Sequence, residues 1–103
     1  MTEAEIGRLA GVLWNARTSA RPCDAPTAVF PAMTIEDAYR VSSVNFRRRL
    51  AGGAVATGAK VGLTSQAVQR QLGVEQPDFG YLTSDMAVPD GGAVLRASLI
   101  QAK

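Results

Sequence analysis

Histidine is missing from all 103 residues, and cysteine occurs once, at Cys23. The first absence excludes a Cys-His nucleophile within the chain and any zinc site built on imidazole. A single cysteine excludes an internal disulfide and suits a reducing compartment, which points to the cytoplasm. No apolar run approaches the roughly 20 residues of a membrane span, and no charged-apolar-small leader opens the chain, so no membrane partner is expected. The net charge of +2 is too small, and the basic residues too scattered, to argue for nucleic acid. One basic cluster stands out, Arg47-Arg48-Arg49, and reads as the solvated last turns of a helix, complementing its dipole.

What is present is ordinary: 47% hydrophobic and 19% charged residues. That composition suits one small domain over residues 1–103. A chain of this length buries roughly 60–70% of its unfolded surface, so its core has little to spare.

The segment TEAEIGRLAGVLWNAR opens with a capping box, Thr2 as N-cap and Glu5 three residues on. Ile6, Leu9, Ala10, Leu13 and Trp14 follow as one apolar helical stripe, with Trp14 as a core anchor. Arg21 to Met33 carries Pro22, Pro26 and Pro31 and reads as an irregular connector. A second helix starts at Thr34, with Asp37 at its third position and Ile35, Ala38, Tyr39, Ser42, Phe46 and Leu50 as its buried face. Gly52-Gly53 ends it. AVATGAKVG is read as a short strand, and Thr64 or Ser65 as the cap of a short helix through Leu72 that Gly73 stops. Phe79, Tyr81 and Leu82 are expected to point inward, Pro89-Asp90-Gly91-Gly92 to turn, and AVLRASLI to begin a last strand.

Without histidine, acid–base work falls to lysine, carboxylates and tyrosine. The octapeptide GAKVGLTS, residues 58–65, holds the strongest candidate, Lys60. Val55, Val61 and Leu63 around it predict burial, which disfavours the charged form of a lysine. Gly58 and Gly62 leave room for a ligand or another backbone. Leu63, Thr64 and Ser65 fall at a helix start, where free amides and hydroxyls suit a carboxylate. The same spacing also fits an exposed strand lysine before a capped helix. Asp78, in a loop fixed between Pro77 and Phe79, is the second candidate, able to hold a proton and pair with the lysine; taken alone, the stretch fits an Asx-type turn better. The carboxylates lack metal-ligand spacing, so no self-contained metal site is expected.

Four ordered stretches, MTIEDAYRV, GAKVGLTSQAVQRQLGV, QPDFGYLTSDM and ASLIQAK, together resemble one family. They are similar to the N-terminal part of the 2-oxopent-4-enoate (2-hydroxypenta-2,4-dienoate) hydratases. These belong with the 4-oxalocrotonate decarboxylases in the fumarylacetoacetate-hydrolase-like superfamily. The resemblance runs from Leu9 to Lys103, and QPDFGYLTSDM looks more like the hydratase branch. It implies an α+β chain: an N-terminal α/β domain of about three helices with short strands, truncated before a β-rich catalytic domain. It also implies a hydro-lyase of aromatic meta-cleavage catabolism that takes a small 2-oxo or 2-hydroxydienoic acid and works as a homo-oligomer. The family uses Mg²⁺ or Mn²⁺, whose Glu-x-Glu ligands follow the stretch that here reads LIQAK, so this chain supplies none. In LIQAK itself Ala102 stands where many relatives have proline. By the same resemblance Lys60 and Asp78 match active-site residues, and Leu63, Thr64 and Ser65 fall where substrate binds. Two other readings stay open, a decarboxylase piece and a non-catalytic module that assembles with a longer homologue.

Overall fold

The computed structural model describes residues 1–101. Ala102 and Lys103, the end of the LIQAK stretch, lie outside the described residues. Helices and strands follow in the order α1 (Glu3–Ser19), α2 (Pro26–Val29), α3 (Ile35–Ala51), β1 (Ala56–Gly62), α4 (Gln66–Leu72) and β2 (Asp78–Thr83). Short 3₁₀ turns lie at Ser84–Met86 and Arg96–Ser98. The class is α+β, as the sequence implied. No helix among the described residues is long and apolar enough to cross a membrane. The chain divides into two compact units, Met1–Arg48 with the segment from Val88 onward, and Arg49–Ala87.

The first unit is organised by α1. The Thr2 amide donates to Glu5 Oε2 at 2.8 Å, and the Glu5 amide donates to Thr2 Oγ1 at 3.2 Å, so the capping box forms as expected. Ile6, Leu9 and Ala10 of α1 are buried with Val41 of α3, and Leu13, Phe30, Met33 and Val44 pack around them. α1 ends with Ala20 in the left-handed region at φ 55°, while the Arg21 amide reaches back to the Ala16 carbonyl. That is a Schellman ending with alanine at the position glycine fills best. The connector is not wholly irregular. Pro26 stands in the first turn of the four-residue α2, where a missing N–H costs nothing, and the Phe30 amide closes the turn on the Pro26 carbonyl.

α3 presents a different face from the one expected. Asp37 and Val41 are buried and Val44 and Asn45 half-buried, whereas Ile35 and Tyr39 are exposed. The inward face is one residue, about 100°, away from the one counted from apolar positions. Its polar members find partners there: Asn45 Nδ2 donates to the Ala10 carbonyl at 2.9 Å, although Asn45 Oδ1 is buried without a hydrogen-bond partner among the described residues, and Asp37 accepts from the Thr34 amide and hydroxyl. Counting only apolar residues passes over such partners. The arginine triplet is likewise not a uniform solvated face, since Arg48 lies over the Trp14 ring at 5.0 Å.

In the second unit, Gly53 closes α3 at φ 104°, a backbone conformation that L side chains resist, with the Ala54 amide bonding to the Arg49 carbonyl. β1 and β2 pair antiparallel, from Ala56↔Thr83 to Gly62↔Asp78, with an irregularity between Ala56 and Gly58. Val55 and Ser84 extend the pairing through the Ser84 amide to the Val55 carbonyl and the Val55 amide to Ser84 Oγ. Arg49 Nη1 donates to the buried Thr83 hydroxyl at 2.9 Å and lies 3.6 Å from Asp85. Phe79, Tyr81 and Leu82, expected inward, are exposed. AVLRASLI forms no strand; its middle is a 3₁₀ turn, and Leu95 and Leu99 are exposed. A strand needs a ladder partner, and among the described residues the only sheet is the β1–β2 pair.

Candidate active site

Lys60 lies directly opposite Gly80, and Gly62 opposite Asp78. Directly opposed residues share a face, and side chains alternate along each strand, so Lys60, Gly62, Asp78 and Gly80 form one four-residue patch. Lys60 Nζ stands 3.8 Å from Asp78 Oδ2. The two residues are neighbours on the diagonal of the ladder. Their pairing across the hairpin depends on the register, because the 17 positions between them in sequence, 61 to 77, contain all of α4.

The burial expected for Lys60 does not occur: 56% of its side chain and 53% of that of Asp78 are exposed. The reason is the pleat. Val61 is its neighbour along the chain but points to the other face, where it pairs with Phe79. On its own face the lysine meets glycines. Its Cγ and Cε pass over Gly80, 3.6 and 3.5 Å from where a Cβ would stand. The stem therefore lies across the sheet, with the ammonium head toward Asp78.

The other proposed ligand-contacting residues follow directly after this patch. Leu63 is in the left-handed region at φ 55°, an uncommon state for a branched side chain. Its carbonyl accepts a 2.6 Å hydrogen bond from Gln69 Nε2, so α4 holds the turn it follows. Ser65 is the N-cap residue of α4 in extended conformation, but its hydroxyl does not cap the helix. Thr64 and Ser65 are exposed. α4 spans seven residues, so the dipole expected to favour an anion here is that of two turns. The structure thus joins Lys60 to Asp78 and places Leu63, Thr64 and Ser65 on the connector leaving the same end of β1. Among the described residues no group of three or more His, Cys, Asp or Glu is arranged to hold a metal ion. Sequence reasoning missed Gln69 and the Arg49–Thr83 contact. Both are polar side chains on helices facing backbone or hydroxyl partners, which apolar periodicity does not report.

A two-stranded pair carrying an exposed lysine–aspartate contact sets a cation beside a carboxylate, and comparison with known proteins adds to that geometry. Over its length the chain is similar to the N-terminal part of proteins in the 2-keto-4-pentenoate hydratase and 4-oxalocrotonate decarboxylase family. It is 40% identical over all 103 residues to 2-keto-4-pentenoate hydratase of Paraburkholderia xenovorans strain LB400, covering 38% of that protein. It is 50% identical over 95 residues, 91% of the chain, to 2-keto-4-pentenoate hydratase 2 of Dechloromonas aromatica strain RCB, covering 36% of it. In structure it matches the N-terminal part of 4-oxalocrotonate decarboxylase from Pseudomonas putida G7, solved with calcium and acetate. There the TM-score is 0.92 at 40% identity, over 97% of this chain and 39% of that one. The chain thus spans less than half the length of these relatives. No protein-family model matches it.

Proposed function

We propose that this chain is the N-terminal domain of a hydro-lyase that adds water to 2-hydroxypenta-2,4-dienoate, giving 4-hydroxy-2-oxopentanoate. The observation that carries the reading is the Lys60–Asp78 contact, set on a glycine-lined face in a chain 40% identical to hydratases of that substrate class. The reaction needs protons moved at carbon. Ketonisation of the dienol takes the enol proton and delivers one to carbon, and water then adds across the remaining conjugated double bond. A lysine ammonium is a proton donor and a carboxylate an acceptor, so the pair has both halves of that task. In this role Lys60 protonates the dienol carbon skeleton and holds the substrate's negative charge, and Asp78 takes and returns the compensating proton. Leu63, Thr64 and Ser65 orient the acid end of the substrate through backbone amides and hydroxyls.

Relatives of known structure have been solved with calcium or magnesium. A divalent cation such as Mg²⁺ or Mn²⁺ supplies Lewis acidity to a 2-oxo acid. The described residues do not fit such an ion. They contain no cluster of ligating side chains, and the carboxylate at the site faces an ammonium. The ligands are therefore assigned to the part of the relatives' length that this chain does not span. The whole enzyme is read as a cytoplasmic homo-oligomer of aromatic meta-cleavage catabolism, in keeping with the single cysteine, Cys23, which is free and exposed.

A decarboxylase is the second reading, favoured by the 0.92 TM-score to 4-oxalocrotonate decarboxylase. Grafting residues 1–103 in place of the matching segment of a 2-keto-4-pentenoate hydratase tests both. Turnover of 2-hydroxypenta-2,4-dienoate that falls about 100-fold or more with Lys60→Met is the expected result, as removal of a general acid–base group requires. Turnover only of a substrate with a second carboxylate supports the decarboxylase. Equal turnover with and without Lys60 overturns the assignment.

A further inference from the structure

Two glycines share the face of the lysine–aspartate contact, and the space above them differs. A Cβ built on Gly80 meets Lys60 Cε at 3.5 Å, an ordinary van der Waals distance. A Cβ built on Gly62 falls 2.3 Å from Asp78 Oδ1, 3.3 Å from Asp78 Cγ and 3.3 Å from Lys60 Nζ. The carboxylate and the ammonium therefore meet in the volume a side chain at position 62 would fill. Gly62 has no need of glycine for its backbone, because its φ is not in the left-handed region. The missing side chain is what matters at this position.

We propose that Gly62 is a positioning residue that seats the Asp78 carboxylate against Lys60. It does so by leaving its own side-chain volume to the pair. The consequence for turnover rests on the hydratase reading above, whereas the seating is a property of the hairpin and is tested without substrate. Any side chain at position 62 turns Asp78 away from Lys60, while a methyl group at position 80 leaves both where they are. Strand propensity argues the other way for stability, since alanine suits a strand interior better than glycine does. Loss of the contact in the alanine variant is then not explained by loss of the strand.

The experiment is zero-length carbodiimide coupling on the 103-residue chain, followed by digestion and mass analysis of the Lys60–Asp78 amide. Lys60 and Lys103 are the only lysines, so the linked peptide is unambiguous. The unsubstituted chain and Gly80→Ala should give the linkage. Gly62→Ala should reduce it about fivefold, the change in occupancy that an exposed ion pair supports. Adding Asp78→Glu to Gly62→Ala should recover the yield, because a longer side chain carries the carboxylate past the new methyl group. Nuclear Overhauser contacts between Val61 and Phe79, which pair across the ladder, report that the hairpin persists. Unchanged coupling in Gly62→Ala overturns the proposal, as does an equal loss in Gly80→Ala, absence of the linkage in the unsubstituted chain, or loss of the Val61–Phe79 contacts in Gly62→Ala. A graft that couples as expected but turns over no substrate overturns the functional reading and leaves the seating intact.

Discussion

Replacing Lys60 by methionine should leave the fold almost as stable as before, and the structure says why. Lys60 and Asp78 lie 3.8 Å apart with more than half of each side chain in water. Unit charges at that separation attract by about 1 kcal/mol in a fully aqueous dielectric. Ordering two flexible side chains offsets most of this, and exposed pairs measure about 0.2–1 kcal/mol. Methionine keeps most of the apolar stem over Gly80, so little packing is lost. Arg49→Met in the same unit gives the contrast. Arg49 is 12% exposed, and its guanidinium donates to a Thr83 hydroxyl that is itself buried. Losing a charge-assisted hydrogen bond of this kind costs about 1.5–3 kcal/mol. Urea unfolding followed by circular dichroism checks both variants, with equal slopes required before midpoints are compared. A cost of about 2 kcal/mol or more for Lys60→Met, at the level expected for a buried bond, would refute the reasoning. Lys60 would then be a structural residue, and the contact would no longer stand as evidence for chemistry.

Two further outcomes concern the first unit. Hydrogen bonds from the Thr34 amide and hydroxyl, then the nearby N-terminal ammonium, lower the Asp37 pKa from 3.8 to about 2. A depressed carboxyl contributes stability above its unfolded pKa and loses it as the pH falls through the folded value. Stability should therefore drop between about pH 4 and pH 2, and the drop should be smaller in Asp37→Asn, as read by unfolding midpoints across that range. Ala20 sits at φ 55° in the ending of α1. Ala20→Gly should stabilise the chain by about 1 kcal/mol by removing the left-handed penalty, less the entropy glycine gives back to the unfolded chain. A lower melting temperature in Ala20→Gly would count against it.

Local signals were legible where one residue's chemistry decides the structure. The Thr2–Glu5 box, the Thr34 cap and the Gly53 and Gly73 endings each depend on a few neighbouring residues, and each stands where the sequence places it. The face of α3 was less legible. Its inward positions include Asp37 and Asn45, which are acceptable inside only because Thr34 and the Ala10 carbonyl meet them there. Those partners come from the tertiary arrangement, and no count along one helix contains them. The expected strand at AVLRASLI failed for a related reason, because β-branched and apolar residues favour a strand only when another strand pairs with it.

The candidate site shows the same division more sharply. Lysine between glycines and aspartate after proline are visible in the sequence; the lysine reads as a strand residue and the aspartate as a loop or turn residue, and the structure places both on strands. Burial of the lysine was inferred from residues adjacent in sequence, and adjacency misleads in a strand because neighbours point to opposite faces. Only the register, Lys60 opposite Gly80 and Gly62 opposite Asp78, decides which side chains meet. Once it is known, the composition of GAKVGLTS has a physical reading. Gly62 and Gly80 clear one face so that a lysine stem can lie across it and a carboxylate can turn inward to reach its head. Water reaches both groups, so an approaching ligand can meet them directly. A shape built from missing side chains, rather than from burial, is what brings these two groups together.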